Sequence, residues 1–274
     1  MKHTYYAPTG GLPGQDERLY APARFTSAYA VIPATVMTDI VTSFLPNWNN
    51  TRAWIIARPL SGFAETFAQM IVEVAPGGGS ETPEPDTSAE SVIFVVRGHI
   101  SLTLDGVEHV LPEGGYAFVA PASDWAIKNT GDTPATFHWV RKAYEPAAGT
   151  DMPTSFVTAD TDGTVVTMPD TDGKWSTTRF VEPTDLRHDM HVNIVNFQPG
   201  GVIPFAETHV MEHGLYVLQG RAKYLLNTDW VDVGPGDFMW LRAFCPQACE
   251  AVGDEPFRYL LYKDVNRFPK LTIG

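Results

Sequence analysis

Met70-Ile71-Val72-Glu73-Val74-Ala75-Pro76-Gly77-Gly78 returns further along as Asn193-Ile194-Val195-Asn196-Phe197-Gln198-Pro199-Gly200-Gly201. Each copy is an apolar-rich run closed by a Pro-Gly-Gly turn signal. Two further blocks repeat in the same order. Phe94-Val95-Val96-Arg97-Gly98 answers to Tyr216-Val217-Leu218-Gln219-Gly220, and Leu111 through Val119 answers to Val233 through Leu241. The offset stays near 122 residues across all three blocks, which makes two domains of one fold and not a solenoid. Between the blocks the strands are short and bounded by Gly, Pro and Asp. Ser101-Leu102-Thr103-Leu104 runs into the hairpin signal Asp105-Gly106, and Tyr224-Leu225-Leu226-Asn227 runs into Thr228-Asp229. The architecture predicted is all-β, a tandem pair of small antiparallel barrels or jelly rolls whose inward positions line a cavity.

Around this frame, residues 1–149 hold an N-terminal arm and the first barrel, and residues 150–274 a linker and the second. Leu45 through Asn50 reads as an ordered loop, residues 145–165 as the connection, and Asp160 and Asp162 as a solvated turn. The 274 residues include 23 glycines and 22 prolines, with 19% charged, a mixture that suits tight turns and not a helical bundle. A net charge of −13 argues against nucleic-acid faces and anionic membranes as partners. The opening Met1-Lys2-His3-Thr4-Tyr5-Tyr6 lacks the apolar core of a secretory signal, and no apolar run approaches a membrane span. Cys245 and Cys249 are read as packing residues, and a cytoplasmic location follows as the default.

Chemistry concentrates in Glu207-Thr208-His209-Val210-Met211-Glu212-His213. On a strand, Glu207, His209 and His213 share one parity and so one face. A carboxylate and two imidazoles facing inward suit a first-row divalent metal that takes a fourth ligand. Gln247 has two readings, a fourth ligand or a solvated loop amide. The last strand, Phe257 through Lys263, alternates so that Tyr259, Leu261 and Lys263 share a face. Lys263 is either a surface lysine at a strand end or a lysine deep in the cavity. His99, His109 and His138 are read as lacking partners. His188 and His191 precede the metal strands, and His191 is placed on an adjoining strand, too far upstream to join the site.

The spacing from Gly201 through Glu207, His209 and His213 to Gly220 resembles the first motif of the cupin superfamily. Glu207 stands where the first His is usual and His213 where the Glu is usual, and Gly236-Asp237 leads to Gln247 where the second motif has His. That permuted set is similar to the bicupin (S)-ureidoglycine aminohydrolases. So are Leu45-Pro46-Asn47-Trp48-Asn49-Asn50-Thr51, Phe197-Gln198-Pro199-Gly200 and the ending Tyr259 through Arg267. The resemblance implies two tandem cupin (double-stranded β-helix) barrels, metal in the second only, and Mn²⁺ held by Glu207, His209, His213 and Gln247, with Fe²⁺ or Zn²⁺ also able to bind. It implies release of ammonia from (S)-ureidoglycine to give (S)-ureidoglycolate in purine and allantoin catabolism. Lys263 is then the favoured base, Tyr224 and Tyr259 contact substrate, and Glu207 accepts a hydrogen bond from the substrate amine. The first copy offers Glu84, Asp86, Ser91 and Trp125 in its ligand slots, a set without imidazole. Its two acids are read as exposed, and its barrel as serving packing and assembly into a homo-oligomer. Two other readings stand beside the hydrolase: an Fe²⁺-dependent cupin oxygenase acting on a small organic acid, and a non-catalytic binding bicupin.

Overall fold

The computed structural model describes residues 3–8, 23–37, 42–59, 62–264 and 267, and among them the only helical segments are short 3-10 turns such as Ala34–Val36. Turn chemistry sets the strand lengths. Asp105 and Gly106 both take positive φ, 49° and 81°, and join strands Ile100–Leu104 and Val107–Leu111, as that dipeptide predicts. Asn227, with φ of 58°, does the same between Arg221–Leu226 and Asp229–Val233. The repeat is visible in backbone angles: Gly98 and Gly220 both sit at φ of 72°. A Cβ on Gly220 would come within 2.3 Å of the Pro256 carbonyl, so only glycine fits there.

The first barrel is one ten-stranded sheet wrapped on itself, with Ala68–Ser80 pairing to Asn49–Ala57, Ala135–Ala143 and Trp125–Lys128. The second is built from two sheets. An eight-stranded sheet runs in the order Arg24–Phe25, Tyr29–Ile32, Phe238–Leu241, His213–Gln219, Phe257–Asp264, Met190–Phe197, Trp175–Arg179, Thr164–Thr167. The four-stranded sheet that closes it runs Val202–Glu207, Gln247–Val252, Arg221–Leu226, Asp229–Val233. The barrels exchange edges. Tyr29–Ile32, from the N-terminal arm, pairs with Phe238–Leu241 in the second barrel, and Phe156–Ala159, from the connection, pairs with Gly115–Val119 in the first.

Strand alternation sorts the side chains into three cores. Even positions of Phe257–Asp264 (Leu260, Tyr262) and of Ala89–Arg97 (Val92, Phe94, Val96) meet in a core between the barrels. The opposite faces of these strands and of their neighbours fill the barrels themselves: Ile93 and Val95 with Val72 and Val74 in the first, Val195, Phe197, Leu215, Val217, Phe257 and Tyr259 in the second. The interface also settles Asp160, which is buried and not a solvated turn. It takes a hydrogen bond from Arg258 at 2.6 Å and one from Tyr5 at 2.8 Å. Arg258 is 1% exposed, and a guanidinium so deep requires a counter-charge. His138 lies in the same interior with partners, Gln69 at 3.3 Å and the Tyr216 ring at 4.3 Å. Cys245 and Cys249 are buried free thiols. Leu45 and Trp48 pack on the first barrel's core, and a strand starts at Asn49. Of the motif residues quoted from the two ends of the chain, Met1, Lys2, Val265 and Asn266 lie outside the described residues.

Candidate active site

Glu207 is the last residue of its strand, and a register shift between Ile203 and Glu207 turns it across from Gln247. His209 is not on that strand, contrary to the period-two expectation. It sits in the loop from 208 to 212, and His213 opens the next strand. The three residues therefore meet because a loop folds over the barrel mouth, and not because a strand alternates. That loop is tied down by Glu212, whose carboxylate accepts from the Glu65 N–H at 2.5 Å, the Thr66 N–H at 2.9 Å and the Trp240 indole at 2.5 Å. The Glu212 N–H donates to Asp264 at 2.6 Å. Sequence reading passed Glu212 over. Two of its partners, Glu65 and Thr66, lie in the other half of the chain, up to 147 residues away, and no local signal marks them.

The predicted ligands come together. Glu207 Oε1 is 3.3 Å from His209 Nε2 and 3.4 Å from Gln247 Nε2, and the rings of His209 and His213 are 5.0 Å apart. Two ligand atoms each about 2.1 Å from one ion, at octahedral to tetrahedral angles, stand about 3.0–3.4 Å apart, so the Glu207–His209 spacing suits a shared cation. Among the described residues, however, no three His, Cys, Asp or Glu side chains form a closed metal cage. The Glu207 carboxylate lies beside the His209 imidazole and accepts from the Gln247 amide. Gln247 is buried and not a solvated loop amide, and its oxygen accepts from the Tyr224 hydroxyl at 2.9 Å. A cation beside Glu207 would attract that oxygen instead, and a half-turn of the amide supplies it. Burial, then the neighbouring His209 and Lys263, pushes His213 down to about 3, so its imidazole is held in the neutral form that binds metals. By donor chemistry the set fits a divalent cation.

Lys263 is the cross-strand partner of both His213 and His191, which puts all three in one row. Burial foremost, and Arg179 next, push its ammonium below the usual lysine range, with Asp264 pulling the other way. Tyr259 and Tyr224 are fully enclosed, with hydroxyls 3.4 Å apart, and burial raises both well above the ordinary phenol value. His191 corrects the sequence reading. It does lie on an adjoining strand, yet it faces the same interior as Lys263, because strands distant in sequence are neighbours in the sheet. Burial pushes it down to about 4, and its Nε2 has no hydrogen-bond partner among the described residues.

The slots of the first barrel hold a different arrangement. The Glu84 side chain is 5% exposed and paired with Arg141, not an exposed acid, while Asp86 is exposed and caps Ser88. Ser91 accepts from the Trp139 indole at 3.0 Å, and Trp125 packs edge-on to Trp139.

Two barrels of one topology, only one of them furnished with ligand-type side chains, define a bicupin, and the Cupin domain family model matches residues 70–141 and 193–262. (S)-Ureidoglycine aminohydrolase from Arabidopsis thaliana is 31% identical over 230 residues, spanning 84% of this chain and 74% of that protein. The enzyme of the same name from Escherichia coli (strain K12) is 28% identical over 83% of this chain and 86% of its own. A crystal structure from Pseudomonas aeruginosa, of a protein provisionally described as glyoxylate-induced, is 62% identical over the whole of both chains, with a TM-score of 0.92. The chain belongs to the (S)-ureidoglycine aminohydrolase family of bicupins. No helix among the described residues is long and apolar enough to cross a membrane.

Proposed function

We propose that this protein is a metal-dependent (S)-ureidoglycine aminohydrolase that replaces the substrate's amine with water and releases ammonia. The observation that carries the reading is the meeting of Glu207, His209, His213 and Gln247 beside Lys263 in the second barrel, in a chain whose relatives carry that name. The four side chains would hold the ion, which we take as Mn²⁺ because the carboxylate and amide oxygens harden an otherwise nitrogen-rich set, with Fe²⁺ or Zn²⁺ as competitors. When bound, it supplies positive charge that orients substrate and stabilises developing negative charge.

The remaining work falls to side chains of the barrel. In the net reaction the carbon–nitrogen bond to the amine breaks, a carbon–oxygen bond forms from water, and one water proton ends on the departing nitrogen. Lys263 Nζ is suited to hold that proton in transit, since burial and then Arg179 lower its proton affinity below that of an ordinary lysine. Tyr224 and Tyr259 stay protonated and act as donors only. Tyr224 fixes Gln247, and Tyr259 lines the cavity. Glu207 has a second lone-pair face for the substrate amine. The protein acts in the cytoplasm as a homo-oligomer, which light scattering on the purified protein tests.

The decisive assay is ammonia release from freshly made ureidoglycine. The expected result is turnover that EDTA abolishes and Mn²⁺ restores. Consumption no faster than spontaneous decay by the metal-loaded protein would overturn the assignment.

A further inference from the structure

We infer that Arg179 is a specificity-determining residue that binds the carboxylate of the substrate; this deepens the aminohydrolase reading and rests on it. Arg179 ends the strand Trp175–Arg179, whose pairing sets Trp175 opposite Phe197 and Thr177 opposite Val195. Phe197 and Val195 point into the second barrel, and Trp175 stacks on Phe197 at 5.7 Å. By alternation Arg179 belongs to that inward set, one step beyond Thr178 and Ile194 and so beside Asn193. Asn193 in turn faces Leu261, one inward position before Lys263.

The electrostatics of this corner are one-sided. Arg179 acts as a positive neighbour of both Lys263 and His191. No carboxylate among the described residues pairs with it, although the chain carries 32 acidic residues against 19 basic ones. The carboxylate beside Lys263, Asp264, is engaged with the Glu212 N–H. The strand register sets Arg179 on the same inward face as the Asn193 amide, the His191 imidazole, whose buried Nε2 has no partner among the described residues, and Lys263. Two cations on one inward face repel each other, and an anionic ligand bound between them relieves that repulsion. A guanidinium suits a planar carboxylate better than an ammonium does, because it can donate two parallel hydrogen bonds. The division of labour follows. Arg179 takes the carboxylate as a fork, which leaves Lys263 free to move a proton at the neighbouring carbon. The class of ligand assigned is a small 2-ureido carboxylate.

The test pairs kinetics with binding. Metal-loaded wild type, Arg179→Gln and Arg179→Lys are compared on ureidoglycine. In parallel, calorimetry measures binding of N-carbamoylglycine, which keeps the ureido and carboxylate groups but has no amine to lose, and of its carboxamide. Loss of a charged hydrogen-bonded pair predicts a KM and a carboxylate Kd raised roughly 10- to 100-fold in Arg179→Gln, kcat within about threefold, and unchanged carboxamide binding. Arg179→Lys keeps the charge without the fork and falls between. Circular dichroism melts confirm that each variant is folded, and carboxylate-selective loss beside unchanged carboxamide binding is not what a damaged fold produces. If Arg179→Gln releases ammonia with wild-type KM and binds N-carbamoylglycine as wild type does, Arg179 has no such role and the aminohydrolase reading stands. If wild type releases no ammonia yet prefers the carboxylate through Arg179, the reaction is wrong and the binding site stands. Wild type that does not discriminate carboxylate from carboxamide overturns the inference outright.

Discussion

The two barrels share a fold and differ in what fills them. Inside the first, ring contacts run from Phe137 to Trp48, from Trp48 to Trp139 and from Trp139 to Trp125, and the slots that could hold ligands are spent on an Arg141 ion pair and an indole hydrogen bond. Inside the second, the same layer of positions carries Glu207, His209, His213, Gln247, Tyr224, Lys263 and His191. A barrel of this size has room for either a full apolar core or a lined cavity. The repeat lets one copy keep the stability of a filled interior while the other bears the cost of buried polar groups. The filled barrel also supports the furnished one directly, since Glu65 and Thr66 of the first half hold Glu212 and with it the ligand loop.

The largest effect that separates the barrels is expected at His213. His213→Ala removes the buried imidazole that opens the inner strand, and should lower metal affinity and ammonia release at least 100-fold while leaving the melting temperature of the metal-free protein within a few degrees. Elemental analysis alongside the ammonia assay reads both. Ser91→Ala, in a first-barrel ligand slot, should change neither metal content nor rate. A loss of metal there would break the asymmetry.

The converse is expected at Trp139. It is 3% exposed among Trp48 and Trp125, and Trp139→Ala leaves a cavity that costs about 3–5 kcal/mol. Chemical denaturation should show that loss, while kcat/KM of the still-folded protein at 25 °C stays within about threefold. A collapse in kcat at unchanged fold content would mean that the first barrel takes part in the chemistry.

How much of this was legible in the sequence depends on how far apart the interacting residues lie. Three repeat blocks and two hairpin turns were enough for a pair of barrels, because turn signals and alternation are local. The grouping of Glu207, His209 and His213 was legible from their spacing, and Gln247 joined them through the family resemblance. The reason they converge was not, since His209 sits in a loop where strand parity does not apply. Asp160 reads as a surface turn until Arg258, 98 residues on, is set beside it. Glu212, His191 and Arg179 were silent for related reasons: Glu212 is held by residues distant in the sequence, and the other two are placed by pairing between strands that the sequence does not order. The exchange of Tyr29–Ile32 into the second barrel likewise leaves no local mark.

The smallest effect is expected between the barrels, at Glu90. It is fully buried at an even position of Ala89–Arg97, faces the shared core, and has no hydrogen-bond partner for either oxygen among the described residues. Burial first, and Asp189 second, push its carboxyl up to about 8, against the opposing pull of Lys142 and Arg267, while Tyr116, Tyr144 and Tyr262 complete its titratable surroundings. A carboxyl raised in the folded state binds its proton there and not in the unfolded chain between about pH 4.5 and pH 8. Its contribution to stability is therefore present in full below that window and is lost as pH rises through it. Melting temperature should fall by a few degrees from pH 5 to pH 8 in the wild type, and Glu90→Gln should flatten that slope and match the wild type near pH 5. An unchanged slope would show that Lys142 keeps Glu90 ionised, making the join between the barrels an ion-pair network and not a protonated, neutral seam.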